Sequence, residues 1–119
     1  MMAALIGFNR EKLEQQIQQT PDVVLANDNS EAQVVISGTP EAVEAILSQV
    51  KAKRIIRLNV SGAFHSPLMA TAAAEFQQVL DCVSFTDAVV PVLSNVDPVP
   101  ALKADVLKQR LSQQMTGSV

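Results

Sequence analysis

At 119 residues the chain is long enough for one small domain, or one subdomain with part of a neighbour, and too short for a typical two-domain enzyme. A hydrophobic fraction of 48% against 18% charged residues places it among folded chains and away from disordered ones. The net charge of -3 and an aromatic complement of four Phe, without Trp or Tyr, exclude a nucleic-acid surface, which needs a basic field and often stacking rings.

Met2-Ala3-Ala4-Leu5-Ile6 reads as a buried strand closed at Gly7. No apolar stretch approaches the roughly 18 residues needed to span a bilayer, and the opening run lacks the basic start of a signal peptide, so no membrane partner and a cytoplasmic location are expected. Asn9 can cap a helix over Arg10 to Gln19, whose large apolar residues Leu13 and Ile17 lie four apart on one face. Thr20-Pro21-Asp22 breaks that pattern and Val23 to Ala26 follows as a second strand. Asn27 to Ala32 is expected as a polar loop, joining it to a third strand, Gln33 to Ser37, in a hairpin or close antiparallel pair.

Thr39-Pro40-Glu41 is a helix start: a hydroxyl at the cap, proline at the first helical position and an acid in the first turn. Ala42, Val43, Ile46, Leu47 and Val50 form its buried stripe. Lys53 to Val60 is expected as a fourth strand with Arg54, Ile56, Leu58 and Val60 on one face, one side of it half solvated. The order strand, helix, strand, strand, helix, strand is the ferredoxin-like split unit, so residues 1–60 are expected to form an α+β subdomain of that kind.

Ser66-Pro67 is expected to start a third helix, with Ser66 as its cap and Leu68, Met69, Ala72, Ala73, Phe76, Val79 and Leu80 in helical register. The single Cys82 cannot close an internal disulfide; it fits a reducing compartment and is expected as a small core residue. Val89 to Leu93 is a strand candidate, Asp97-Pro98-Val99-Pro100 a rigid loop. A last helix is expected from about Ala101, with Leu102, Val106, Leu107, Leu111 and Met115 apolar and Thr116-Gly117 ending it. Two helices and one strand cannot make a sheet of their own, so 61–119 reads as an incomplete α/β segment of a larger layer, with uncovered apolar surface that favours self-association.

His65, the only histidine, sits at a strand-to-helix junction, where an imidazole is held by rigid elements and can act as a general base near neutral pH. From the residues alone a lone histidine beside a serine is more often ordinary than catalytic. Ser61 and Ser66 are too near in sequence to pair with it as a nucleophile, and no serine stands in Gly-x-Ser-x-Gly, the sharp turn that exposes such a group. Asn27 to Glu31 is rich in oxygen donors but lacks the spacing of a calcium loop and suits turn geometry instead. Lys51, Lys53, Arg54 and Arg57 form one basic cluster, read as a solvated edge in preference to a docking patch for an acidic partner.

Gly62-Ala63-Phe64-His65-Ser66-Pro67-Leu68-Met69 resembles the histidine motif of malonyl-CoA:acyl carrier protein transacylases and of the related acyltransferase domains of polyketide synthases. The likeness extends to Met2 through Gly7, to Ala26 through Ser30, to Gln33 through Gly38, to Pro91 through Val96 and to Gln114 through Val119, and so covers essentially the whole chain.

The resemblance implies a two-part enzyme of fatty acid or polyketide synthesis, a large hydrolase-like subdomain with an inserted ferredoxin-like one, working by a serine-histidine ping-pong mechanism. On this likeness His65 activates the serine, Gln114 supplies the main-chain carbonyl that orients the imidazole, Asn29 and Asn27 line the substrate cleft, and Phe64 favours malonyl units. The substrates are then malonyl-CoA and a phosphopantetheinylated acyl carrier protein, with no metal and no further cofactor. The family's Gly-His-Ser-x-Gly turn, its malonyl-gripping arginine and its Gly-Gln oxyanion segment lie upstream and have no counterpart here, and the family continues past Val119. The chain is thus expected to be a piece that lacks the serine-bearing half and is inactive alone. A free-standing ferredoxin-like binding or interaction module is the alternative, opposed by the combination of histidine motif, distant Gln114 and hairpin; a fragment completing a partner chain that supplies the serine is a third.

Overall fold

A computed structural model describes residues 1–119. Four strands, β1 (Met2–Phe8), β2 (Val23–Ser30), β3 (Gln33–Gly38) and β4 (Ala52–Arg57), form one sheet in the order β2-β3-β1-β4 with every neighbouring pair antiparallel. Helices α1 (Arg10–Gln19) and α2 (Pro40–Gln49) connect β1 to β2 and β3 to β4. Their starts follow the sequence: Asn9 Oδ1 accepts from the Lys12 amide at 2.9 Å, and Thr39 Oγ1 accepts from that of Ala42 at 3.2 Å, with Pro40 opening the helix.

Period-two alternation splits the sheet into two faces. Ala3, Leu5, Val34 and Ile36 point toward Leu13 of α1 and Val43, Ile46 and Leu47 of α2, and these residues make the main core. Burial of each of the fully enclosed Leu5, Leu13, Ile36 and Ile46 stabilises the fold by about 1.5–3 kcal/mol. The opposite face carries Met2, Ala4, Ala26 and Val35, with Ile56 beside Ala4 on the neighbouring strand and Leu58 and Phe64 also packed against them. It is therefore the second face that receives the segment around His65.

Several expectations are corrected. Asn27 to Ser30 is strand, not loop: β2 continues past Ala26 by taking two bulges, with Ala26 and Asn29 as the extra residues between paired positions. β4 ends at Arg57, because only Leu58 reaches back to β1, its amide donating to the Met2 carbonyl at 3.0 Å, before the chain turns away. Ser66 occupies the position before a 3₁₀ turn, Pro67–Met69, that runs into α3 (Ala70–Asp81), but its hydroxyl caps nothing; it donates to the Ala63 carbonyl at 2.6 Å.

Cys82 is exposed, at the end of a helix that buries only Leu80. Val89 to Leu93 is no strand: it forms a single bridge, Val92 with Ala101, and Val89 is 99% exposed, since no neighbouring strand is there to pair with it. That bridge also takes Ala101 and Leu102 out of the last helix, so α4 covers Ala104–Gln113. Arg110 of α4 is buried, donating to the Val99 carbonyl at 2.5 Å and to Asp97 at 2.6 Å, which ties the proline-rich loop down. Val79, Val83, Val90, Leu93 and Val99 remain exposed, so the apolar surface expected of the second half is present. No helix is long and apolar enough to cross a membrane.

Candidate active site

His65 lies in the left-handed region of backbone space, φ 58°. A residue with a Cβ adopts that conformation at a cost of order 1–3 kcal/mol, and keeps it only where the surroundings over-determine it. The segment after α4 does so here. The His65 amide donates to the Met115 carbonyl at 3.1 Å, and ring atom Nδ1 stands 3.0 Å from the Gln114 carbonyl oxygen and 3.2 Å from that of Gly117. Carbonyl oxygens only accept, so Nδ1 carries the proton and Nε2 keeps the lone pair. The Gln114 side-chain nitrogen, 3.5 Å from Nδ1, is too distant to compete. The ring is thus oriented by main-chain carbonyls where a carboxylate often stands.

The oriented carbonyls are themselves anchored. Gly117 closes α4 by donating to the Gln113 carbonyl at 2.9 Å. Beyond it, Ser118 Oγ donates to the Leu25 and Ala26 carbonyls at 2.8 and 3.1 Å. Val119 donates to the Ala26 carbonyl at 2.8 Å and accepts from the Asp28 amide at 2.7 Å, straddling Asn27 in the manner of a parallel strand. The bulge at Ala26 is where this tail joins the sheet.

Of the residues singled out from the sequence, the fold brings His65 and Gln114 into contact across 49 positions. Phe64 is half-buried against the second face of the sheet. Asn27 sits half-buried beside Val119, while Asn29 is the exposed bulge residue farther along β2; neither side chain hydrogen-bonds to His65. Arg10 braces this end of β2, gripping Asp28 with two bonds of 2.8 and 3.0 Å and the Ser30 carbonyl at 3.3 Å; its guanidinium holds the Asp28 carboxyl below the usual carboxylate range.

Met115, Gly117, Ser118 and Val119 escaped sequence reasoning as site residues because they act through main-chain groups or a local hydroxyl. The Thr116-Gly117 cap signal and the resemblance over Gln114 through Val119 marked that region without assigning those residues a role. In the basic cluster, Arg57 is spoken for, paired with Glu44 at 2.6 and 2.7 Å.

Residues 2–114 match the family model described as acyl transferase domain. Among curated proteins, the chain is 58% identical over 119 residues to the malonyl CoA-acyl carrier protein transacylase of Synechocystis, covering 100% of this chain and 41% of that protein. It is 44% identical to the protein of the same name from Bacillus subtilis, covering 99% of this chain and 39% of the relative. The solved Synechocystis malonyl-CoA:ACP transacylase superposes with a TM-score of 0.95 at 58% identity, over 100% of this chain and 41% of that one. A complex between a type II polyketide-synthase acyl-carrier protein and its malonyl-transacylase gives 0.87 at 33% identity, over 99% and 40%. The chain therefore spans about two fifths of the length of the relatives it matches.

Proposed function

The chain belongs to the acyl transferase domain family, and from that premise we propose that it is the histidine-bearing part of a malonyl-CoA:acyl carrier protein transacylase. The observation that carries the proposal is the 3.0 Å approach of His65 Nδ1 to the Gln114 carbonyl, which leaves Nε2 as the basic nitrogen. Nε2 takes the proton from a serine hydroxyl supplied by the rest of the enzyme as that oxygen attacks the malonyl thioester carbonyl; the imidazolium then returns the proton as coenzyme A leaves. In the second half the thiol of a phosphopantetheinylated carrier protein attacks the serine ester, His65 accepts its proton and returns it to the serine oxygen. Gln114 acts through its carbonyl, Phe64 bounds the malonyl group, and Asn27 and Asn29 line the cleft from the bulged end of β2. The reaction needs no metal and no cofactor beyond its two substrates.

The sheet order β2-β3-β1-β4, with both helices over one face, supports assigning 1–60 as a ferredoxin-like subdomain and 61–119 as part of a hydrolase-like one. The test is malonyl transfer from coenzyme A to carrier protein by this chain alone and by the chain mixed with a polypeptide bearing the family's serine half. Transfer only in the mixture, lost on His65→Ala, is expected. Transfer by the chain alone, or unchanged transfer with His65→Ala, would reject the assignment.

A further inference from the structure

Arg110 is the only charged residue that the fold buries. A buried guanidinium is unfavourable unless its donors are met, and here both arms of the fork are engaged: Nη1 donates to the Val99 carbonyl at 2.5 Å and Nη2 to Asp97 Oδ2 at 2.6 Å. Both acceptors lie in the loop of residues 93–100, whose ends are closed by the Val92–Ala101 bridge through bonds of 2.9 and 3.0 Å. The bridge fixes the ends of the loop and Arg110 fixes its interior. Val96, next to Asp97, packs against Gly117: a Cβ on that glycine would lie 3.1 and 3.4 Å from the two Val96 methyl carbons. Gly117 supplies one of the two carbonyls beside His65 Nδ1, at 3.2 Å, and Gln114 supplies the other, at 3.0 Å. Arg110 touches that second group as well, since its own carbonyl accepts from the Gln114 amide at 3.1 Å.

We propose that Arg110, through its pair with Asp97, is a positioning residue for His65: it holds Val96 against Gly117 and so keeps the two carbonyls on Nδ1. The turn of residues 114–117 is then supported from two sides, by the tail bonded to β2 and by the loop clamped on Arg110. A guanidinium suits the task because its planar fork meets a carboxylate and a carbonyl at once, where a lysine ammonium on its flexible stem holds no such geometry. The functional meaning rests on His65 being the base, but the readouts below involve no turnover, so either idea can fail without the other.

The test reads the nitrogen-15 signature of the His65 tautomer and amide hydrogen exchange in the whole chain, with Asp97→Ala to release the clamp and Val96→Ala to remove the contact while leaving the clamp in place. Asp97→Ala is expected to speed exchange at the Gly117 amide by at least about tenfold, because a bond to a charged group is lost, while the amides that pair β1 with β3 keep their protection. Both variants should lower the fraction of Nδ1–H tautomer. An unchanged tautomer in either variant overturns the proposal, and so does a loss of protection spread evenly over the sheet, which marks general destabilisation. Should Asp97→Ala fail to fold, Val96→Ala, a loss of two methyl groups at a half-buried site, still decides the matter through the tautomer.

Discussion

His65 Nδ1 and the main-chain oxygen of Gln114 meet at 3.0 Å although 49 positions separate them. Because the acceptor belongs to the backbone, the Gln114 side chain should be dispensable. Gln114→Ala is expected to keep the Nδ1–H tautomer by nitrogen-15 NMR and to change malonyl transfer in the assembled enzyme by less than about threefold, against the 10²–10⁴-fold loss that the proposed acid-base role of His65 predicts for its removal. Loss of the tautomer in Gln114→Ala would show that the side chain orients the ring.

The left-handed backbone at His65 makes a second prediction. Both His65→Ala and His65→Gly lose the imidazole, but only alanine still bears the cost of that conformation, about 1–2 kcal/mol, partly offset by the greater unfolded-state freedom of glycine. His65→Gly should therefore be the more stable of the two by about 0.5–1 kcal/mol in urea unfolding. Equal stabilities would mean the turn relaxes once the ring is gone.

Gly38 ends β3 where no side chain fits. A Cβ there would lie 2.2 Å from the Asp22 carbonyl oxygen and 2.8 Å from the Val23 Cα, both backbone atoms that cannot swing aside. Gly38→Ala is expected to destabilise the fold by about 2–3 kcal/mol through displacement of the β2 and β3 ends. At Gly7 the clash is with the Lys53 Cδ, the movable part of a side chain, and the positive φ of 65° sets the smaller cost of about 1 kcal/mol for alanine. A reversed ranking by thermal unfolding would contradict this packing.

Acid should loosen α4 at its start. Asp87 accepts from the Lys103 ammonium at 2.9 Å and from the Ala104 amide at 2.8 Å, and those bonds, the lysine's first, hold its carboxyl below the ordinary value. A carboxyl lowered in the folded state contributes stability above its unfolded value of about 4, and that contribution is lost as pH falls through the folded value. The Ala104 amide is expected to lose protection in hydrogen exchange only below about pH 4, and Asp87→Asn should remove most of that dependence. Protection that persists at pH 2 would place the cap elsewhere.

The uncovered half should associate with itself. Val89, Val90 and Leu93 are 99%, 67% and 66% exposed on one short segment, a concentration of apolar surface that water disfavours. Sedimentation velocity of the chain should show mass rising with concentration, and the paired change Val90→Asp with Leu93→Asp should shift it toward monomer. A monomer at every concentration would mean the exposed valines are too scattered to drive contact.

Local chemistry determined much of this molecule. Apart from the far end of β2, the strands and helices of the first 57 residues follow from short apolar runs, from the alternation of β4, from the caps at Asn9 and Thr39, and from Pro40, because those signals act within a few residues of the structure they set. His65 and Gln114 were legible as a pair only through the resemblance, since no periodicity links residues so far apart. The tertiary structure alone decided the rest. It extended β2 through Asn27 to Ser30, since a bulged strand with a polar sequence needs a partner backbone, here β3 and Val119, to declare itself. It gave the Ser66 hydroxyl to Ala63 instead of to a helix end, and left Val89 to Leu93 unpaired, because a strand exists only where another strand offers its hydrogen bonds. And it set the proton on Nδ1 of His65 by surrounding that atom with carbonyl oxygens from a segment that folds back from beyond α4.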